Sequence, residues 1–248
     1  MAVEIRALRR ERLQQAHERV GNTMQNELMS QWKEIEFSTW KRREYFYYFT
    51  KMNPTAYSVT VQIEVTKLYS FIKKQDWLFF PSYLFIVTRL LTEYPEFKVG
   101  KVEDELVEYE VLHPSYSLFH EEDQSISMMW TTFQSNFSDF YQSYLNDKED
   151  YQDKYGAVVK KQPAPANTYM IGMIPWLEFT NYTPLPLEGL SSFFPVIQGG
   201  KMSEKNGKRY LPISFTIHHA VADGYHVSKF FNELQEAFNE PQKWLIKE

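Results

Sequence analysis

Residues Val59-Thr60-Val61-Gln62-Ile63-Glu64-Val65 alternate apolar and polar side chains without a break. Side chains on a strand point to opposite faces in turn, so this run reads as a strand with one covered and one polar face. Such a strand needs neighbours beside it and a second layer beneath it. The chain must therefore build a sheet and something to cover it. With 43% hydrophobic and 17% aromatic residues among 248, it has ample material for that core.

Covering helices are legible. Leu68 to Lys73 and Pro81 to Tyr94 read as helices, the second with Pro in its first turn. Phe137, Phe140, Tyr141 and Tyr144 fall on one helical face, as do Val227, Phe230, Phe231, Leu234 and Phe238 between Gly224 and Asn239. Phe97–Val102 and Glu105–Leu112 flank Glu103-Asp104 as a hairpin. Further strands are expected near Ser125–Thr131, Tyr169–Met173, Phe193–Gln198 and Arg209–His218, with a turn at Glu204-Lys205-Asn206-Gly207 between the last two. Residues 146–167, which include Pro163 and Pro165, read as a long loop. Strict strand–helix–strand alternation is missing, so the expected class is α+β: a two-layer structure with a mixed sheet covered by helices. Residues 1–35 read as an N-terminal helical extension, rich in Arg and net positive over its first 20 residues, and 36–248 as the main domain.

Several functions are excluded at once. The chain has no Cys, which removes disulfides, thiolate metal sites and cysteine nucleophiles. A net charge of −5 argues against a nucleic-acid partner. No apolar leader follows the N-terminal arginines, and Leu78–Leu91 is broken by Pro81, Ser82, Thr88 and Arg89. A cytoplasmic protein without a membrane partner is expected. There is no G-x-G-x-x-G, phosphate-binding P-loop or G-x-S-x-G elbow. His17, His113 and His120 are isolated, and Glu103-Asp104 and Glu121-Glu122 read as solvated turn residues.

One cluster stands apart: His218-His219-Ala220-Val221-Ala222-Asp223-Gly224, between an apolar strand and the last helix. A strand end is where side chains meet a cleft, and Gly224 is expected to let the backbone turn. Histidine suits general base chemistry near neutral pH, and an Asp four residues on can brace the loop if a cation neutralises it. Two structural histidines at a strand end are the equal alternative on this reading. No third ligand is apparent, so no metal is expected.

H-H-x-x-x-D-G resembles the signature of the chloramphenicol acetyltransferase family of CoA-dependent acyltransferases. The similarity continues through Tyr225-His226-Val227 and Phe231-Asn232-Glu233-Leu234-Gln235-Glu236. Trp40-Lys41-Arg42-Arg43-Glu44-Tyr45-Phe46 is similar to the family's W-x-R-x-E-x-F segment. His113-Pro114, Phe119-His120-Glu121, Pro175-Trp176, Phe193-Phe194-Pro195 and Gly200-Lys201 follow in the family's order. The resemblance spans roughly Phe37 to Phe238.

It implies a homotrimer with active sites between subunits, acetyl-CoA as co-substrate, and a small-molecule acceptor, chloramphenicol or a similar hydroxylated compound. It implies that His219 removes the acceptor's hydroxyl proton and that Asp223 pairs with Arg42. Trp176, Gly200 and Lys201 would meet CoA; Phe49, Ser117, Ile126 and Ser127 would line the acceptor pocket. Two departures stand out. The family's oxyanion-binding Ser before Pro-Trp is Gly172, and its water-ordering Thr after Phe-Phe-Pro is Gln198. Losing one oxyanion donor typically costs about 10²–10³ in rate. Gln198 either supplies the missing contact, its amide carrying two donors, or merely satisfies backbone groups at a strand end. The alternative to an enzyme is a trimeric ligand-binding or scaffold homologue with weak turnover, or an acyltransferase for another acceptor.

Overall fold

The long strand near the C-terminus organises the molecule. In the computed structural model, which describes residues 31–160, 162–185 and 193–246, this strand runs from Lys208 to His218. Leu211, Ile213, Phe215 and Ile217 alternate along it and are fully buried, whereas Ser214 and Thr216 point to the opposite face.

Numbered in chain order, the strands are β1 (Trp32–Glu34), β2 (Ala56–Glu64), β3 (Val99–Val102), β4 (Glu105–Tyr109), β5 (His113–His120), β6 (Ser125–Trp130), β7 (Thr168–Met173), β8 (Val196–Gly199), β9 (Ser203–Lys205) and β10 (Lys208–His218). The main sheet has the order β2-β10-β8-β7-β5-β6, with β9 paired to the start of β10. The β8–β7 and β7–β5 pairs are parallel and the others antiparallel, so the sheet is mixed, as the sequence implied. Asn206 and Gly207, both at positive φ, make the two-residue β9–β10 turn. A smaller antiparallel sheet has the order β1-β4-β3.

Helices α1 (Arg43–Tyr47), α2 (Thr66–Lys74), α3 (Phe79–Thr92), α4 (Phe137–Tyr151) and α5 (Gly224–Asn239) complete the body. α3 is buried along nearly its whole length. α5 buries Val227, Phe230, Phe231, Leu234 and Phe238, the stripe its 3.6-residue period dictates. Phe215 of β10 meets Phe230 at 5.0 Å and Phe97 at 5.0 Å between ring centroids, which fastens the helical layer to the sheet. No helix among the described residues is long and apolar enough to cross a membrane.

The structure corrects the sequence reading in places. α4 continues to Tyr151, so the loop expected from residue 146 starts later; Asp147 is held inside the helix by Lys160 at 2.7 Å and Thr131 at 2.7 Å. β5 was not expected as a strand. The helix expected near the N-terminus lies outside the described residues, but Trp32–Glu34 pairs with β4 rather than belonging to a helical extension.

Candidate active site at the end of strand β10

β10 ends at His218, and the chain leaves the sheet with the His219 N–H still donating to Thr55 O at 2.9 Å. Ala220, Val221 and Ala222 follow, all fully buried. Their small side chains let the loop sink against the core before α5 begins. Asp223 is the N-cap of α5, with extended φ/ψ. The expectation for Gly224 does not hold: its φ is not positive, and a Cβ there would meet nothing within 4 Å.

The two histidines diverge. His218 is half-buried, its Nδ1 accepting the Ala220 N–H at 3.1 Å and its ring set edge-on to Phe193. Burial, aided by the neighbouring His219, pushes the His218 imidazole below the ordinary histidine range. The His219 ring lies flat on Phe49, 4.0 Å between centroids and 4° between planes, with Tyr57 tilted against it at 4.9 Å. Nδ1 of His219 is 3.4 Å from Asp223 Oδ1.

Phe49 reaches this position because α1 runs on into a wider π-helical turn, Tyr48–Met52. Such turns insert an extra residue and frequently occur at functional sites. Arg42, immediately before α1, holds the loop from behind. Its Nη1 and Nη2 donate to Asp223 Oδ2 and Oδ1 at 2.7 and 2.8 Å. Its Nε donates to Ala220 O and its Nη2 to His219 O, both at 3.2 Å. One guanidinium thus satisfies a carboxylate and two carbonyls of the loop carrying His219, the bidentate geometry at which Arg excels. Arg42 holds the Asp223 carboxyl below its usual range, against the opposing effect of burial. The Tyr57 hydroxyl is pushed well up, by burial first and the Asp223 charge second.

Gly172 and Gln198 are direct partners on the parallel strands β7 and β8. A Cβ added to Gly172 would meet Gln198 Oε1 at 3.1 Å and Nε2 at 3.4 Å, so the glutamine amide lies where a residue-172 side chain would be. One amide N–H donates to Gly199 O at 3.2 Å. Gln198 thus satisfies a backbone group at the strand end, as one of the two sequence readings has it, and its amide fills the space beside Gly172.

Gly200 and Lys201 follow β8, and Lys201 is tied to Leu177, the residue after Trp176. Lys201 N–H donates to Leu177 O at 2.9 Å, and Gly200 N–H to Pro212 O at 2.9 Å. Gly200 has no room for a side chain, since a Cβ would lie 2.7 Å from Pro212 and 2.8 Å from Phe179. Trp176 packs edge-to-face on Phe119 and stays exposed. Ser117 and Ile126 are exposed on the same sheet face. Ser127 is not: it is fully buried, its Oγ 2.8 Å from His120 Nε2, because alternation along β6 turns it away from Ile126. In this chain Ser127 is a core residue rather than part of a pocket wall.

Sequence reasoning gave no role to Tyr57 or His226, both of which touch the loop that carries His219. His226 was visible only as part of the motif run. Tyr57 opens β2 and carried no signal of its own.

The mixed sheet and its covering helices are the fold of solved acetyltransferases. A solved chloramphenicol acetyltransferase structure superposes with a TM-score of 0.71 at 23% identity, covering 83% of this chain and 99% of that one. Azotobacter vinelandii dihydrolipoamide acetyltransferase shares the fold with a TM-score of 0.59 at 17% identity, covering 77% of this chain and 84% of that one. Residues 30–235 match the chloramphenicol acetyltransferase family profile. A Staphylococcus aureus chloramphenicol acetyltransferase is 35% identical over 214 residues, 86% of this chain and 98% of the relative. One from Campylobacter coli is 34% identical over 84% of this chain and 99% of its own length. The chain belongs to the chloramphenicol acetyltransferase family, and is a CoA-dependent acetyltransferase.

Proposed function

We propose that the protein moves the acetyl group of acetyl-CoA to a hydroxyl of chloramphenicol or a similar small molecule, with His219 as general base. The observation that carries this reading is the Arg42–Asp223 brace, which fixes the loop from two sides while His219 lies flat on Phe49. In the proposed step His219 takes the acceptor's hydroxyl proton as the oxygen attacks the thioester carbonyl. The tetrahedral intermediate then collapses, the carbon–sulfur bond breaks, and the CoA thiolate recovers the proton from His219. No acyl-enzyme forms. Gln198, beside Gly172, donates the second amide N–H to the oxyanion, directly or through a water. Trp176, Gly200 and Lys201 contact CoA, and Phe49, Ser117 and Ile126 contact the acceptor. The enzyme works in the cytoplasm on dissolved substrates.

Register argues for a site shared between copies. Gln198 pairs with Ser214 of β10, and His218 lies four residues further along that strand. At roughly 3.3 Å per residue this is about 13 Å, with His219 beyond it. A base and an oxyanion donor must both sit about 3 Å from one reacting centre, and side chains standing across the sheet do not close that distance. A second copy that presented its β7–β8 face to His219 would close it, the arrangement that the homotrimer implied by the family resemblance would provide.

The test is release of CoA thiol on mixing acetyl-CoA with chloramphenicol and a panel of other alcohols. The protein's lack of Cys keeps the thiol background low. Acceptor-dependent release is expected. Tight acetyl-CoA binding without release for any acceptor would favour the second reading, a ligand-binding homologue, which the absent hydroxyl at Gly172 favours.

A further inference from the structure

Resting on the reading of His219 as base, we infer that His226 is a positioning residue that sets the base loop by accepting the backbone N–H of Asp223. Asp223 is the N-cap of α5 and His226 is its third helical residue. In the usual capping box a Glu or Gln at that position reaches back to the N-cap N–H. Here His226 Nδ1 accepts that bond at 3.0 Å. A nitrogen that accepts from an N–H carries no proton of its own, so the ring proton belongs on Nε2. Nε2 faces Glu96 Oε1 at 3.5 Å. Glu96 lies in the 3₁₀ turn Pro95–Lys98 that leads into β3. A carboxylate facing Nε2 favours the tautomer with the proton there, as second-shell acceptors do for functional histidines.

The chain of contacts is continuous. Glu96 faces His226, His226 holds the Asp223 backbone, and the Asp223 carboxylate holds Arg42 and approaches His219. Arg42 and Glu96 also line one cleft of about 400 Å³. His226 Nδ1 lies 3.9 Å from Asp223 Oδ2. With the proton on Nδ1 instead, the amide bond would be lost and His226 would compete with Arg42 for the carboxylate. Arg42 fixes the side chain of Asp223 and His226 fixes its backbone, and the two together determine where His219 sits. Misplacement by about 1 Å can cost about 10²-fold in rate.

The experiment compares His226→Ala and His226→Gln with His219→Ala, measuring kcat, the KM for acetyl-CoA and the melting temperature. His226→Ala should lower kcat by about 10-fold, short of the full misplacement cost, with KM for acetyl-CoA nearly unchanged. His226→Gln, whose amide oxygen can accept the same N–H, should recover most of the loss. Wild-type kcat in His226→Ala would overturn the inference, as would equal impairment of both His226 variants. His219→Ala must be inactive in the same assay; if it remains active, the base reading fails whatever His226 does. Should His226→Ala not fold, imidazole ¹⁵N NMR of the wild-type protein decides. A protonated Nε2 and bare Nδ1 on His226 is expected, and a protonated Nδ1 would refute the proposal.

Discussion

Replacing Asp223 by Ala tests the brace that fixes the loop carrying His219. The substitution removes two charge-assisted hydrogen bonds of 2.7 and 2.8 Å. Bonds to charged groups contribute about 1.5–3 kcal/mol each, and stranding one partner of a fully buried pair costs about 3–5 kcal/mol. Neither figure applies undiscounted. The Asp223 side chain is 39% exposed, so solvent already screens it. Arg42, at 13% exposure, would keep its bonds to the Ala220 and His219 carbonyls. A loss of about 2–3 kcal/mol follows, which for a chain of this size lowers Tm by about 5–10 °C. The rate should fall with it, because the loop that carries His219 loses its anchor. Differential scanning calorimetry and CoA-release kinetics on Asp223→Ala, Arg42→Ala and the double variant measure both effects. The double variant should be no worse than the sum of the singles, with a coupling of at least about 1 kcal/mol. Strict additivity, or a Tm change under 1 °C with full activity, would show that the pair does not brace the loop.

Three other perturbations probe neighbouring parts. Gln198→Ala should lower kcat by about 10²-fold, and adding Gly172→Ser should restore much of it, because a Cβ at 172 enters the volume the glutamine amide vacates; initial-rate kinetics on the four-member cycle measure this, and an unchanged kcat in Gln198→Ala contradicts the assignment. Phe49→Leu removes the ring face under His219, a surface that stabilises an adjacent cation by about 1 kcal/mol, and should reduce kcat by about 5-fold without a comparable change in KM for acetyl-CoA. Acid unfolding should proceed in two stages. His218 is held below its ordinary 6.5, so as pH falls through that value the unfolded chain takes up a proton first and stability declines. Asp223 is held below its ordinary 3.8, so its contribution persists above that value and disappears as pH falls further. Urea titrations across pH in wild type and His218→Ala would show it, the variant lacking the first stage.

Much of this architecture follows from local pattern. The alternation of Val59–Val65 and the stripe Val227–Phe238 gave β2 and α5 because each buries one face against a single partner layer. β5 escaped because its alternation is short: Ser115 and Ser117 face out against Tyr116 and Leu118, but Phe119 then faces out opposite Ile126 and His120 is buried on the inner face, which erases the period-two contrast. The end of α4 escaped because long-range partners, Lys160 and Thr131, neutralise an Asp147 that reads as solvated. Arg42 and Asp223 are 181 residues apart. Nothing in their spacing reveals the pair, and only the family resemblance pointed to it. The Gln198 amide over Gly172 was legible as two neighbouring departures from a pattern, but its position depends on the parallel register of β7 and β8.

The central claim is that His219, and not its neighbour, takes the acceptor's proton. The measurement is kcat for acetyl transfer in His219→Ala and His218→Ala, each paired with acetyl-CoA binding by calorimetry. His219→Ala should bind acetyl-CoA as the wild type does and turn over at least about 10³-fold more slowly, a general base contributing about 10²–10⁴-fold. His218→Ala should retain most of its rate, its ring serving the Ala220 N–H and the Phe193 edge. Equal residual activity in the two variants, or full turnover in His219→Ala, would contradict the account.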